Sequence, residues 1–331
     1  MEWIDMHCDT LSETGKQKKE LKSNDLCVDL ERLRRAGACA QFFACYVNAA
    51  EYGLKTKKIP ERTVWDMAYQ DVLSMLSRAE HEQDEKFKIA DTAELLIKQP
   101  CADMEKAKVL YGILTVEEGG VLNGRMERLD ELYGRGVRLV TLTWNYENCI
   151  GSPNSRNPNV MQQGLTRFGT ELVERMNDLG MIIDVSHLSD GGFWDCIRYS
   201  RFPVAASHSN ARTLYRHPRN LSDEMLRALG EKGGVAGVNF YSPFLRESGK
   251  ADVSDITRHI RYMVNCAGED GVALGTDFDG FGPEDCPQDI STVEDMEKVW
   301  RALRRSGFTW RQIEKIASEN IKRVINDTWK K

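Results

Sequence analysis

The chain has no Cys-x-x-Cys pair, no basic and apolar leader, no apolar run beyond about ten residues, and no cluster of Lys and Arg interleaved with aromatics. Each absence removes a class of protein. The nine cysteines, an odd count, fall at 8, 27, 39, 45, 101, 149, 196, 266 and 286. Several sit inside apolar runs, and they read as reduced, mostly buried thiols, not a disulfide framework. A bilayer span takes about 20 apolar residues, and Met1-Glu2-Trp3-Ile4-Asp5 does not open a secretory signal. The expectation is a cytoplasmic protein with no membrane partner. A net charge of −6 without a basic patch argues against nucleic acid as a partner. At 331 residues, 41% hydrophobic and 29% charged, the chain is neither collagenous, disordered nor a small stapled scaffold. It is long enough to bury a large core unaided.

What is present is a rhythm, without internal repeats. Short segments rich in Val and Ile, apolar on both faces as covered strands are, alternate with amphipathic ones. Strands are expected at Trp3–Cys8, Cys39–Val47, Val109–Val116, Arg138–Trp144, Met181–His187, Pro203–His208, Gly234–Phe240 and Val272–Phe278. Helices are expected at Asp29–Ala36, Glu61–Glu85, Met126–Tyr133, Thr166–Asp178, Asp190–Tyr199, Ser222–Glu231, Asp252–Cys266 and Thr292–Arg305, with an extra C-terminal helix at Arg311–Trp329. Eight strands alternating with eight helices predict a single (β/α)8 TIM-type barrel over residues 1–331. An open doubly wound sheet is the alternative, but no Gly-x-Gly-x-x-Gly follows the first strand.

Barrel chemistry sits where strands end. The exits read His7-Cys8-Asp9, Glu117-Glu118-Gly119-Gly120, Asp184-Val185-Ser186-His187, Ser207-His208-Ser209 and Asp277-Phe278-Asp279-Gly280. Four of six histidines, at 7, 187, 208 and 217, lie on these exits or just after them. His81 and His259 fall on charged helices and are expected to face solvent. His7 and Asp9, two residues apart, point to one face of a strand, and Cys8 to the other. Imidazole nitrogens with carboxylates suit zinc or a similar divalent ion, and this set exceeds the needs of one tetrahedral ion. It suits two ions bridged by a carboxylate.

With these residues in view, the chain resembles the membrane (renal) dipeptidase family, zinc-dependent peptidase family M19, in its bacterial branch. The matches run in family order through the barrel: Asp5-Met6-His7-Cys8-Asp9, Glu118-Gly119-Gly120, Leu142-Thr143, Asp184-Val185-Ser186-His187, Ser207-His208-Ser209-Asn210-Ala211, Arg219-Asn220, Val238-Asn239-Phe240-Tyr241 and Gly275-Thr276-Asp277-Phe278-Asp279-Gly280. The resemblance implies a dipeptidase with two zinc ions, one held by His7, Asp9 and Glu118 and the other by Glu118, His187 and His208. Alternation lets only one of Glu117 and Glu118 face the axis. Glu118 is the expected bridge, because the family's glutamate directly precedes the two glycines. The resemblance further implies that Arg219 holds the substrate carboxylate, that Asp277 shuttles protons, that Asn239 and Tyr241 line the substrate pocket, and that the protein is a homodimer. A D-residue at the C-terminal position of the dipeptide belongs to the same expectation.

One position departs from the pattern. After Leu142-Thr143 the family places a histidine that contacts the substrate carbonyl, and here stands Trp144. Tryptophan carries one donor and cannot act as a base. Asn145, or the metal itself, is left to take over that contact. The rivals are another binuclear barrel hydrolase, such as a deacetylase or lactonase, and a non-catalytic barrel that binds metal and peptides. His-x-Asp on strand one, where such hydrolases commonly carry His-x-His, favours the dipeptidase.

Overall fold

The computed structural model describes residues 1–56, 58–97 and 109–330. Cys101 therefore lies outside the described residues; the other eight cysteines are free thiols. The strands are β1 (Trp3–Cys8), β2 (Ala38–Tyr46), β3 (Phe87–Ile89), β4 (Leu110–Glu117), β5 (Val137–Thr141), β6 (Ile182–Asp184), β7 (Ala205–Ala206), β8 (Val235–Val238) and β9 (Val272–Leu274). All pair in parallel, in the order β2-β1-β9-β8-β7-β6-β5-β4-β3. A further pairing of β2 with β4 closes an eight-stranded ring. The fold is a (β/α)8 barrel, as the alternation predicts. The extra strand β3 lies against the start of β4, outside the ring.

The side-chain period of two sorts the strands' residues. Ile4, Met6, Phe42, Ile113, Leu139, Ile182, Ala205, Val235 and Ala273 form one apolar cluster inside the barrel. Trp3, Phe43, Leu114, Val116, Val140 and Leu274, of opposite parity, pack outward against the helices. The interior cluster is closed at one end by Ile321, Val324, Ile325 and Trp329 of the chain's last turns. That segment is the expected C-terminal helix, continuous through Trp310–Glu314, a π-helical stretch Lys315–Glu319, and Asn320–Thr328.

Several strands stop earlier than their apolar runs. Asp184 shows why. Its carboxylate accepts from the backbone N–H of Ser186 (3.0 Å) and Ser207 (2.8 Å), and from the hydroxyls of Thr141 (2.6 Å) and Ser207 (2.5 Å). A buried side chain thus takes over donors that a longer ladder would use. Asp5 does the same for Thr276 N–H (2.7 Å) and for the Gln41 amide (2.8 Å). At the neighbouring exits two glycines permit close approach: a Cβ on Gly275 would stand 1.7 Å from the Ser207 carbonyl oxygen, and one on Gly237 2.0 Å from it.

His259 does not face solvent. It is fully buried on the helix Val253–Ala267, accepting from Ala211 N–H (3.2 Å) and bonded to the Leu245 carbonyl (3.0 Å). The apolar face of that helix carries it inward with Ile256, Ile260 and Met263. His81 is exposed, as expected. Among the described residues no helix is long and apolar enough to cross a membrane.

Candidate metal centre

The register between β1 and β2 is irregular between Asp5 and Cys8. A bulge of this kind re-aims side chains at a strand end. His7 and Asp9 converge there with residues from four other exits. His7 Nε2 lies 3.3 Å from Glu117, 3.7 Å from Asp9 and 3.7 Å from Asp277. His187 Nε2 lies 3.1 Å, and His208 Nε2 3.5 Å, from the other oxygen of Glu117. Backbone strain marks the same places. Glu118, His187, Asp277 and Asp279 all have positive φ, between 64° and 97°, and such outliers persist where surrounding structure holds them.

The geometry corrects the assignment of the bridging glutamate. Glu117, the last residue of β4, shares the inward parity of Ile113 and brings its carboxylate among the histidines. Glu118 lies past the strand and turns away from them. It accepts from Asn148 Nδ2 (2.7 Å), Gly120 N–H (2.9 Å) and Trp144 N–H (3.3 Å). Glu118 therefore anchors the loop that carries Trp144 and Asn145. The two glycines mark that turn, not the residue facing the axis.

The donor set fits metal on three counts. His208 Nδ1 bonds Ser207 Oγ (2.7 Å), whose hydroxyl donates to Asp184, so the proton of His208 sits on Nδ1. His187 Nδ1 faces Asn145 Oδ1 (3.3 Å), an acceptor only, which fixes the same tautomer. Two Nε2 lone pairs then face each other across 3.0 Å with no proton between them. Both ring nitrogens of His7 and Asp9 Oδ1 are buried without a hydrogen-bond partner. A histidine ligand oriented by a bond from its second nitrogen is the usual arrangement around zinc. The groups that can close on one ion are His7, Asp9 and Glu117; Glu117, His187 and His208; and His7, His208 and Asp277.

The electrostatics match. Burial, aided by the neighbouring charges of Arg219 and His7, holds His187 at about 4 and His208 well below its ordinary value, so both are neutral. Burial alone would raise Glu117, but His7 and His187 pull it well below the carboxylate range. Burial, with the repulsion of Glu117, lifts Asp9 to about 6. Burial, Asp9 and Glu117 lift Asp277 to about 7 against His7 and Arg219. Burial also lifts Glu118 to about 7, against its hydrogen bonds from Asn148, Gly120 and Trp144.

The cluster opens onto a cavity of about 440 Å3. Trp144, Asn145, Arg219, Tyr241 and Asp277 line it, as expected. Asn239 does not. It is fully buried and donates from Nδ2 to Asp277 (2.8 Å), so it positions that carboxylate. Arg219 is 6% exposed, donates to Ser209 Oγ (3.5 Å) and the His208 carbonyl (3.3 Å), and leaves Nε unpartnered. Among the described residues no carboxylate pairs with it, so a guanidinium waits in the cavity wall without a counter-ion. Sequence reasoning missed Tyr46 and Phe281, which also line the cavity. For Tyr46 the parity of β2 was the available signal.

The chain has relatives. The chain is 39% identical over 238 residues to an uncharacterised protein from the pqqA 5′ region of Klebsiella pneumoniae, covering 69% of this chain and 87% of that one. It is 33% identical over 310 residues to an uncharacterised dipeptidase of Schizosaccharomyces pombe, covering 92% and 71%. A metallopeptidase from Rhodobacter sphaeroides, solved with a phosphinate mimic of the dipeptide L-Ala-D-Ala, superposes with a TM-score of 0.85 at 26% identity over 99% of both chains. The profile of the membrane dipeptidases, peptidase family M19, matches residues 1–330. A metallopeptidase barrel with its donors gathered at the strand exits is what the structure describes, and the chain belongs to the membrane dipeptidase family.

Proposed function

We propose that this dipeptidase uses two divalent ions, zinc by expectation, to hydrolyse free dipeptides, including those with a C-terminal D-residue. One observation carries the reading: a buried cluster of three histidines and three carboxylates shares a cavity with a buried, unpaired arginine. His7, Asp9 and Glu117 would hold one ion, and Glu117, His187 and His208 the other, with Glu117 in the bridging place first given to Glu118. Bound there, such ions lower the pKa of water towards neutrality and polarise a carbonyl. The protein's own groups do the rest. Arg219 binds the substrate's terminal carboxylate through a planar fork. Asp277, near neutrality and held by Asn239, takes a proton and returns it to the leaving amine. Asn145 orients His187 and leaves its own amide nitrogen to the cavity. The L-Ala-D-Ala mimic bound by the Rhodobacter sphaeroides relative supports acceptance of a D-residue.

An arginine fixed one residue beyond the scissile carbonyl sets substrate length at two. The test compares a free dipeptide, its C-terminal amide and its one-residue extension, across L-L, L-D and D-L pairs, before and after chelation. Free dipeptides should lead clearly, and activity should vanish with the metal. Comparable kcat/KM for all three would return the deacetylase reading to the lead.

A further inference from the structure

Peptide hydrolysis passes through a tetrahedral oxyanion, and donors aimed at it are worth about 10²–10³ in rate. The cavity offers few side-chain donors for that task. Arg219 is set aside for the carboxylate. Asn145 keeps a free amide nitrogen, but it is exposed to solvent, where a donor is worth less than in a buried site. Tyr241 stands among Phe244 and Phe281, on the side of Arg219. Tyr46 differs from these. It ends β2 directly opposite Glu117 in the ladder, so its side chain rises on the same inward face as the carboxylate at the centre of the cluster. Its backbone is pinned on both sides by Ser12, whose hydroxyl accepts from Tyr46 N–H (2.8 Å) and donates to its carbonyl (3.3 Å). Its ring meets Trp144 edge-on, with centroids 5.0 Å apart. Among the described residues nothing bonds to its phenol oxygen. An ordinary phenol, with a pKa of about 10, keeps its proton near neutrality.

We infer that Tyr46 is a catalytic residue, its phenol O–H donating to the oxyanion of the scissile carbonyl, the contact that the family's histidine makes from the position Trp144 holds here after β5. Trp144 then holds the Tyr46 ring in place. The phenol stabilises charge without giving up its proton, so the proton balance of hydrolysis remains with Asp277. The inference rests on the dipeptidase reading above.

Tyr46→Phe keeps the ring and removes only the hydroxyl. Expected are a fall in kcat of about 10²-fold on the best dipeptide, a KM within threefold of wild type, and unchanged metal content. Affinity for a phosphinate dipeptide analogue should weaken in step with kcat, which a merely structural role would not produce. Trp144→His in the Tyr46→Phe background should recover part of the loss. An unchanged kcat and phosphinate affinity, or a rise in KM alone, overturns the inference and leaves the dipeptidase reading standing. A wild-type protein that turns over no free dipeptide overturns both.

Discussion

Glu117 and Glu118 are neighbours in the chain with opposite tasks. Glu117 →Gln removes a charge shared by three histidines; Glu118→Gln removes an acceptor that ties down a loop. The first is expected to lower bound metal and to cut kcat by more than about 10², since even residues behind metal ligands are worth 10–100-fold. The second should retain its metal and lose about 1–3 kcal/mol of stability, the cost of leaving a buried donor unmade. Metal analysis and thermal melts on both variants decide the matter, and metal loss confined to Glu118→Gln would restore the original assignment. The distinction was half legible. Alternation says that one of the pair faces inward, and extending the parity of Ile113 and Thr115 selects Glu117. The glycines pulled the choice the other way, because they mark a positive-φ turn at Glu118 (97°) that lies beyond the strand. Arg219 was legible from its motif alone, but its lack of a counter-ion was not. Arg219→Met should lower kcat/KM on free dipeptides by about 10- to 100-fold, the weight of a charged hydrogen bond, and leave dipeptide amides nearly unaffected.

Among the elements, those with strong apolar periodicity were readable and those held by polar contacts were not. The eight ring strands and their principal helices fall where the pattern places them. The helix Thr10–Gln17 escaped notice because Leu11 is its one large apolar residue; Ser12 ties it to β2 through the carbonyls of Ala44 (3.1 Å) and Tyr46 (3.3 Å). His259 shows the same limit. A histidine among Arg258, Arg261 and Asp255 reads as solvated, yet it occupies the inward row of its helix. Burial, with the neighbouring Arg258, holds its pKa at about 4, against about 6.5 unfolded. Between these values the unfolded chain binds a proton that the folded chain refuses, so stability falls as pH drops from about 6.5 to 4. The full contribution is about 3 kcal/mol. Protonation would also turn Nδ1 into a donor facing the Ala211 N–H. In His259→Gln that part of the acid loss should disappear. The stability difference between wild type and variant, followed by urea denaturation from pH 7 to 4, should shift against the wild type. A constant difference would show that His259 is free to take its proton in the folded state.

The molecule as a whole divides its labour between the two ends of the barrel. At the strand exits, charged and strained residues crowd around a cavity; at the other end, the interior cluster is shut by an apolar helix. Ile325 belongs to that closure with Val324, Ile321 and Trp329, and all four are buried against interior side chains such as Ile4, Phe42 and Ile113. The helix is held to the barrel wall by Asn320, whose Nδ2 donates to the carbonyls of Val272 (2.7 Å) and Glu269 (2.8 Å). The chemistry proposed for the exits rests on His7, Asp9, Glu117, His187 and His208, at the ends of the strands. In a (β/α)8 barrel the exit face carries catalysis and the opposite face carries stability. Ile325→Ala should therefore cost about 2–5 kcal/mol through lost burial and the cavity it leaves. Metal content, KM and kcat per folded molecule should stay at wild-type values below the melting transition. A thermal melt beside dipeptide kinetics at low temperature separates the two effects. If Ile325→Ala changed kcat while the protein remained fully folded, the interior layers would be coupling floor to exits, and the two ends could not be treated as independent.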